Sequence, residues 1–187
     1  MLLLAAIGIG SAVIIRNATS ADQVATNSRL QTQASQYAQL ALRFCESQLA
    51  LGSSSRSVEL QPVTSPEAWT AQRNWAATGK ALAHTLVAAE IGSAVQPRVP
   101  PQCLMEATAV PNIYTVTARG FSADFKGDPS TGATRNGSAV WLQATVYAES
   151  MGGGGAGDSA AANAATAGNG PLKVRQRLWQ QLLTPPF

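Results

Sequence analysis

Residues 1–51 contain no proline and carry one helical pattern from end to end, and this constrains the fold more than any other feature. Residues 1–15 (MLLLAAIGIGSAVII) are apolar on every side and uncharged. At Arg16 the character changes, and the pattern becomes amphipathic as far as Leu49. Leu30, Ala34, Tyr37, Ala38, Ala41, Cys45 and Leu49 recur at the spacing of one helical face. Gln31, Gln33, Gln36, Gln39, Arg43 and Glu46 occupy the other. Gly52, followed by three serines, ends the pattern in the manner of a C-cap. At 1.5 Å per residue the stretch predicts a rod of roughly 75 Å. Its first part is greasy all round and its second part needs a partner, so the chain divides into a helix over 1–51 and a head over 52–187.

Charge is sparse: 12% of the 187 residues are charged and 45% are hydrophobic, with a net charge of +3. The sequence pI of about 9.2 therefore reflects few charges rather than a basic patch. Only Lys173, Arg175 and Arg177 cluster, which makes nucleic acid a poor candidate partner. Two cysteines, Cys45 and Cys103, are an even count. In an exported domain they would most simply pair and tie the helix to the head, the alternative being two buried free thiols. Closing that loop would contribute roughly 4 kcal/mol in the chain-entropy model. His84 is the single histidine and no close cysteine pair exists, which argues against a metal site.

The apolar run poses its own question. Fifteen residues span about 22 Å, short of the ~20 residues that a bilayer core needs. No basic residue precedes the run and Arg16 follows it, against both a signal peptide and a periplasmic head under the positive-inside rule. The expectation that reconciles these points is a further apolar stretch with a basic leader upstream of Met1.

In the head, Ser65-Pro66-Glu67 reads as a helix start, so 66–91 is expected to be a helical insertion in two pieces bent near Gly79. Trp69 and Trp75 are expected to pack against the long helix, and His84 reads as a surface histidine. Strands are expected at about 102–109, 113–121, 139–148 and 172–180, forming an antiparallel sheet of three to four strands with one buried face. Cys103, Met105, Tyr114, Val116, Ala118, Val140, Leu142, Ala144 and Val146 point inward; Thr115, Thr117, Arg119, Trp141 and Gln143 point outward. Small inward residues at Ala107, Ala118 and Ala144 suit a helix lying close across that face, where Cys45 would meet Cys103. Residues 151–170, rich in Gly, Ala and Asn, read as a flexible loop. Residues 171–183 fit either a fourth strand, the favoured reading, with Leu172, Val174 and Leu178 inward, or a short helix with Val174, Leu178 and Leu182 aligned. Lys173, Arg175 and Arg177 would line one face beside Trp179, as a candidate partner surface or as charges that discourage edge aggregation.

Three stretches together carry a resemblance: MLLLAAIGIGSAVI leading into the polar helix, the strand IYTVTARGF and the strand GSAVWLQATVYAE. The chain resembles the type IV pilin superfamily, and more narrowly the minor pilins of the PilX-like kind, over roughly the helix and the sheet. The resemblance implies an α+β, pilin-like fold with a long N-terminal helix whose second half packs on the sheet. Leu2, Leu3, Leu4, Ile7, Ile9, Val13, Ile14 and Ile15 would form the membrane and filament-core helix, with Ala5, Ala6, Gly8, Gly10 and Ser11 allowing close helix approach. It implies a subunit held in the inner membrane with a periplasmic head. That subunit would then join an extracellular pilus of a Gram-negative bacterium, for example in a tip or priming complex supporting assembly, adhesion or motility. Its partners would be other pilins and the assembly machinery, with no cofactor and no small-molecule substrate. Where many pilins carry a glutamate at the fifth mature position, this chain has Ala5.

Two other readings stay open: a type II secretion pseudopilin of the same architecture, and a membrane-anchored periplasmic binding or adhesive module that never polymerises. An enzyme is disfavoured, since Glu90, Glu106, Asp124 and Glu149 are scattered and no phosphate-binding or nucleophile motif occurs.

Overall fold

The computed structural model describes residues 2–76, 81–92, 96–128, 133–151 and 170–183, with side chains from Ser20 onward. The chain is α+β: one long N-terminal helix packs on a mixed, six-stranded sheet. Helix α1 covers Leu2–Leu49. It is followed by β1 (Leu60–Gln61), β2 (His84–Thr85), a four-residue α2 (Ala88–Ile91), β3 (Gln102–Ala107) and β4 (Ile113–Phe121). A small hairpin of β5 (Lys126–Gly127) and β6 (Thr134–Asn136) leads into β7 (Ala139–Ser150) and β8 (Leu172–Leu182).

The sheet order is β1-β3-β4-β7-β8, with β2 sharing the outer edge of β3 beside β1. The β3–β4–β7–β8 part is an antiparallel meander, as the alternating pattern predicts, whereas β1 joins β3 in parallel. That parallel pair makes the sheet mixed. It is two residues long and falls in the stretch where Val58, Leu60 and Val63 alternate with polar residues, an alternation that allows a brief strand but does not set its partner.

Ala34, Ala38, Ala41, Cys45 and Leu49 are fully buried on α1 against Met105, Val116, Ala118, Leu142, Ala144 and Val146 of the sheet. Small side chains on both sides let the helix axis approach closely. The approach is tightest at Gly120, where a Cβ would fall 2.2 Å from Ala34 O and Ala38 N. Only glycine fits there.

The end of α1 departs from the expected glycine cap. Gly52 is extended, at φ −67° and ψ 155°. The helix carbonyls are instead taken by Arg56, whose Nε donates to Gln48 O at 3.1 Å and Leu51 O at 2.8 Å. A cation at a helix C-terminus also meets the negative end of its dipole.

Residues 66–91 are not a helical insertion. The described part consists of 3-10 turns at Ala68–Thr70 and Gln72–Trp75, then β2 and α2; the expected bend at Gly79 lies outside the described residues. Two side chains bind backbone within the segment. Asn74 Nδ2 donates to Ala68 O at 2.7 Å and the Trp75 indole N–H to Trp69 O at 2.9 Å. These local bonds compete with the helical ladder. Burial of the two rings against the sheet decides the outcome.

The same segment corrects two further expectations. Trp69 and Trp75 pack not on α1 but on the opposite face of the sheet, with Ala68, Ala83, Leu104, Trp141 and Leu182. Both faces are therefore covered, and Thr117, Arg119, Trp141 and Gln143, expected outward to water, are buried. His84 is not a free surface residue: its Nε2 lies 2.8 Å from Glu90 Oε2 and its ring stacks on Phe44 at 5.7 Å.

Candidate interaction surface

Cys45 and Cys103 form a disulfide between the middle of the sheet-bound helix and the first strand of the meander, with Cα atoms 6.2 Å apart. Both lie on the predicted inward faces and both are fully buried. The bridge ties the second half of α1 to the head 58 residues further along the chain. From Ser20 to Arg29 every side chain of α1 is exposed. The residues expected in a membrane or filament core, Leu2, Leu3, Leu4, Ile7, Ile9, Val13, Ile14 and Ile15, run in the helical backbone, but their side chains lie outside the described residues. Among the described residues no helix is long and apolar enough to cross a membrane.

The proposed stripe on β8 does not share one face. A β-bulge intervenes: Ala148 pairs with Val174 and Tyr147 with Gln176, leaving Arg175 as the extra residue. Past the bulge the alternation inverts, because a one-residue shift moves every following side chain to the other face. Lys173, opposite Glu149, is on the outer face. Arg177 and Trp179, opposite Val146 and Ala144, are on the helix face. Leu178, expected inward, lies opposite Thr145 and is 76% exposed. Leu172 alone of the expected inward set is fully buried, and Val174 is 39% exposed.

Each arginine of the stripe has a carboxylate of its own. Arg175 Nε donates to Glu149 Oε2 at 2.8 Å. That bond, with a second from Tyr147, holds the Glu149 carboxyl below its ordinary value. Arg177 donates to Glu46 Oε2 of α1 at 2.7 Å. The two arginines of the stripe are thus paired within the fold, and Lys173 shares the field of Glu149 with Arg175. Glu46 Oε1, by contrast, is buried without a hydrogen-bond partner. It sits in a groove of about 120 Å³ between α1 and β8, lined by Leu42, Arg43, Leu142, Arg177 and Trp179.

Beneath the tryptophans lies a buried polar layer that the alternation pattern gives no reason to expect. The Arg119 guanidinium is 4% exposed, within 5.1–5.4 Å of the ring centres of Trp75, Phe121 and Trp141. It donates to Gln102 Oε1 at 2.7 Å and to the Trp75 carbonyl. Burial lowers its pKa to about 9, so it stays cationic at neutral pH. Glu106, also buried, accepts the Trp69 N–H at 3.1 Å. Burial raises its pKa to about 7, against the lowering effect of hydrogen bonds from Trp69 and Ala68. A charged residue at outward parity normally signals solvent. Here the covering segment lies elsewhere in the chain, so only the proline and tryptophans of 66–75 hinted at a lid.

This arrangement clamps a long helix on one face of the sheet and leaves a long strand at its edge. No protein-family model matches the chain, and no curated protein or solved structure is significantly similar to it.

Proposed function

We propose that the chain is a structural minor pilin subunit of a type IV pilus, assembled through α1 and not acting as an enzyme. The observation that carries the reading is the division of α1. Its second half is buried on the sheet and stapled by Cys45–Cys103, while residues 20–29 are exposed all round and lead back to the apolar run. A helix that served only the head could stop where the head stops. An extended one needs other partners for its apolar part, and neighbouring helices in a bilayer or a filament core supply them. On this reading the subunit waits in the inner membrane with a periplasmic head, where an oxidised cysteine pair is stable, and then enters the extracellular fibre beside other pilins.

The test is mass spectrometry of the N-terminal peptide from sheared surface fibres and from membranes. An N-methylated mature terminus in the fibre fraction is the expected result. A chain found only in membranes, unprocessed and absent from fibres, would overturn the filament reading and identify an anchored periplasmic module instead.

A further inference from the structure

We infer that β8 is a self-pairing edge through which two copies of this chain join their sheets, using residues 178–182. The inference is independent of the filament reading. Among the described residues no strand covers the outer side of β8, which is eleven residues long. Long free edges are normally blocked by bulges and charges. Here both devices sit in the first half of the strand: the bulge at Arg175, and Lys173, Arg175 and Arg177. The second half, LWQQLL, has neither, and it exposes Leu178 at 76%, Trp179 at 57% and Leu183 at 89%.

The occupant follows from the register. Leu178, Gln180 and Leu182 lie on the outer face, opposite Thr145, Gln143 and Trp141. Antiparallel pairing about a twofold axis through Gln180 sets Leu178 against Leu182 of the second copy, Gln180 against itself, and Trp179 against Gln181. Within 178–182 the pairs are then leucine with leucine, tryptophan with glutamine, and Gln180 with its own copy, and none sets like charges opposite each other. Self-pairing also handles the charge. The two Arg177 residues are offset by six positions, roughly 20 Å at 3.4 Å per residue, beyond the ~8 Å screening length at physiological salt. Pairing over the whole strand would bring the basic halves together, so the interface is confined to the uncharged half.

The experiment uses the full chain in detergent micelles, with Gln180→Cys or Lys173→Cys and a short bismaleimide; the native disulfide keeps Cys45 and Cys103 unreactive. Across a twofold antiparallel pair the two Gln180 Cα atoms are about 5 Å apart. The expected result is covalent dimer from Gln180→Cys at about ten times the yield of Lys173→Cys, or more. Adding Leu178→Lys to Gln180→Cys should cut that yield about tenfold, equivalent to ~1.4 kcal/mol. Equal yields at positions 180 and 173, as association through the N-terminal helices would produce, overturn the proposal. So does the absence of any dimer at position 180.

Discussion

Helix α1 meets one face of the sheet chiefly with Ala34, Ala38, Ala41, Cys45 and Leu49, so most of that contact is carbon and one disulfide, with the Glu46–Arg177 pair at its edge. The segment around Trp69 and Trp75, with its own buried Asn74, meets the other face over Arg119, Glu106 and Gln102, all buried and polar. Both coverings exclude water. The first works by close approach of small side chains and is non-directional. The second works by satisfying specific donors and acceptors, since a buried polar group without a partner costs more than a hydrogen bond contributes. The first face should therefore fail through sterics and chain entropy, and the second through protonation and hydrogen bonding.

The largest effect expected is from removing the staple. Cys45→Ser with Cys103→Ser should lower stability by roughly 4 kcal/mol, the entropy of the opened loop, measured as a shift in the urea midpoint. Next comes Gly120→Ala, whose added methyl would meet α1 backbone at 2.2 Å. Because backbone rather than a flexible side chain must give way, about 3 kcal/mol of destabilisation is expected. A cost below ~1 kcal/mol would mean that α1 sits further from β4 than described.

The polar face is tested by pH. The Glu106 pKa is about 7 in the fold and ordinary when unfolded, so between about pH 4.5 and 7 the native state binds more protons. Stability then falls as pH rises through that window and levels off above it. The loss is on the order of 3 kcal/mol. Glu106→Gln cannot ionise and keeps one acceptor, so its urea midpoint should stay flat over the same window. A wild-type slope that persists in the variant would assign the effect to another group. The smallest effect expected is from Arg56→Ala, which strips the carbonyls of Gln48 and Leu51 at the end of α1. About 1 kcal/mol should be lost, with amide exchange fastest in the last turn of the helix.

Legibility followed the same division. The α1 face, the span of β4 and the inward residues of β3, β4 and β7 could be read because a period of 3.6 or 2 is a local record of which side is buried. The Cys45–Cys103 contact followed once those faces were placed together. Gly120 shares inward parity with Val116 and Ala118, so its close approach had a visible signal. The 66–91 segment was misread because its proline-led start matches a helix N-terminus. Its actual conformation is set by contacts to Glu106 and Arg119, more than thirty residues away. In β8, alternation was extrapolated through a bulge that the sequence does not mark.

The sequence by itself determined the long helix, its buried stripe and the antiparallel meander, because each rests on periodicity within one stretch of chain. Tertiary structure alone decided the second covered face, disulfide rather than free thiols, the buried Arg119 and Glu106, the parallel pairing of β1 and the inverted half of β8. Those depend on which distant segment supplies a partner for each backbone and side-chain polar group, and no local pattern encodes that choice.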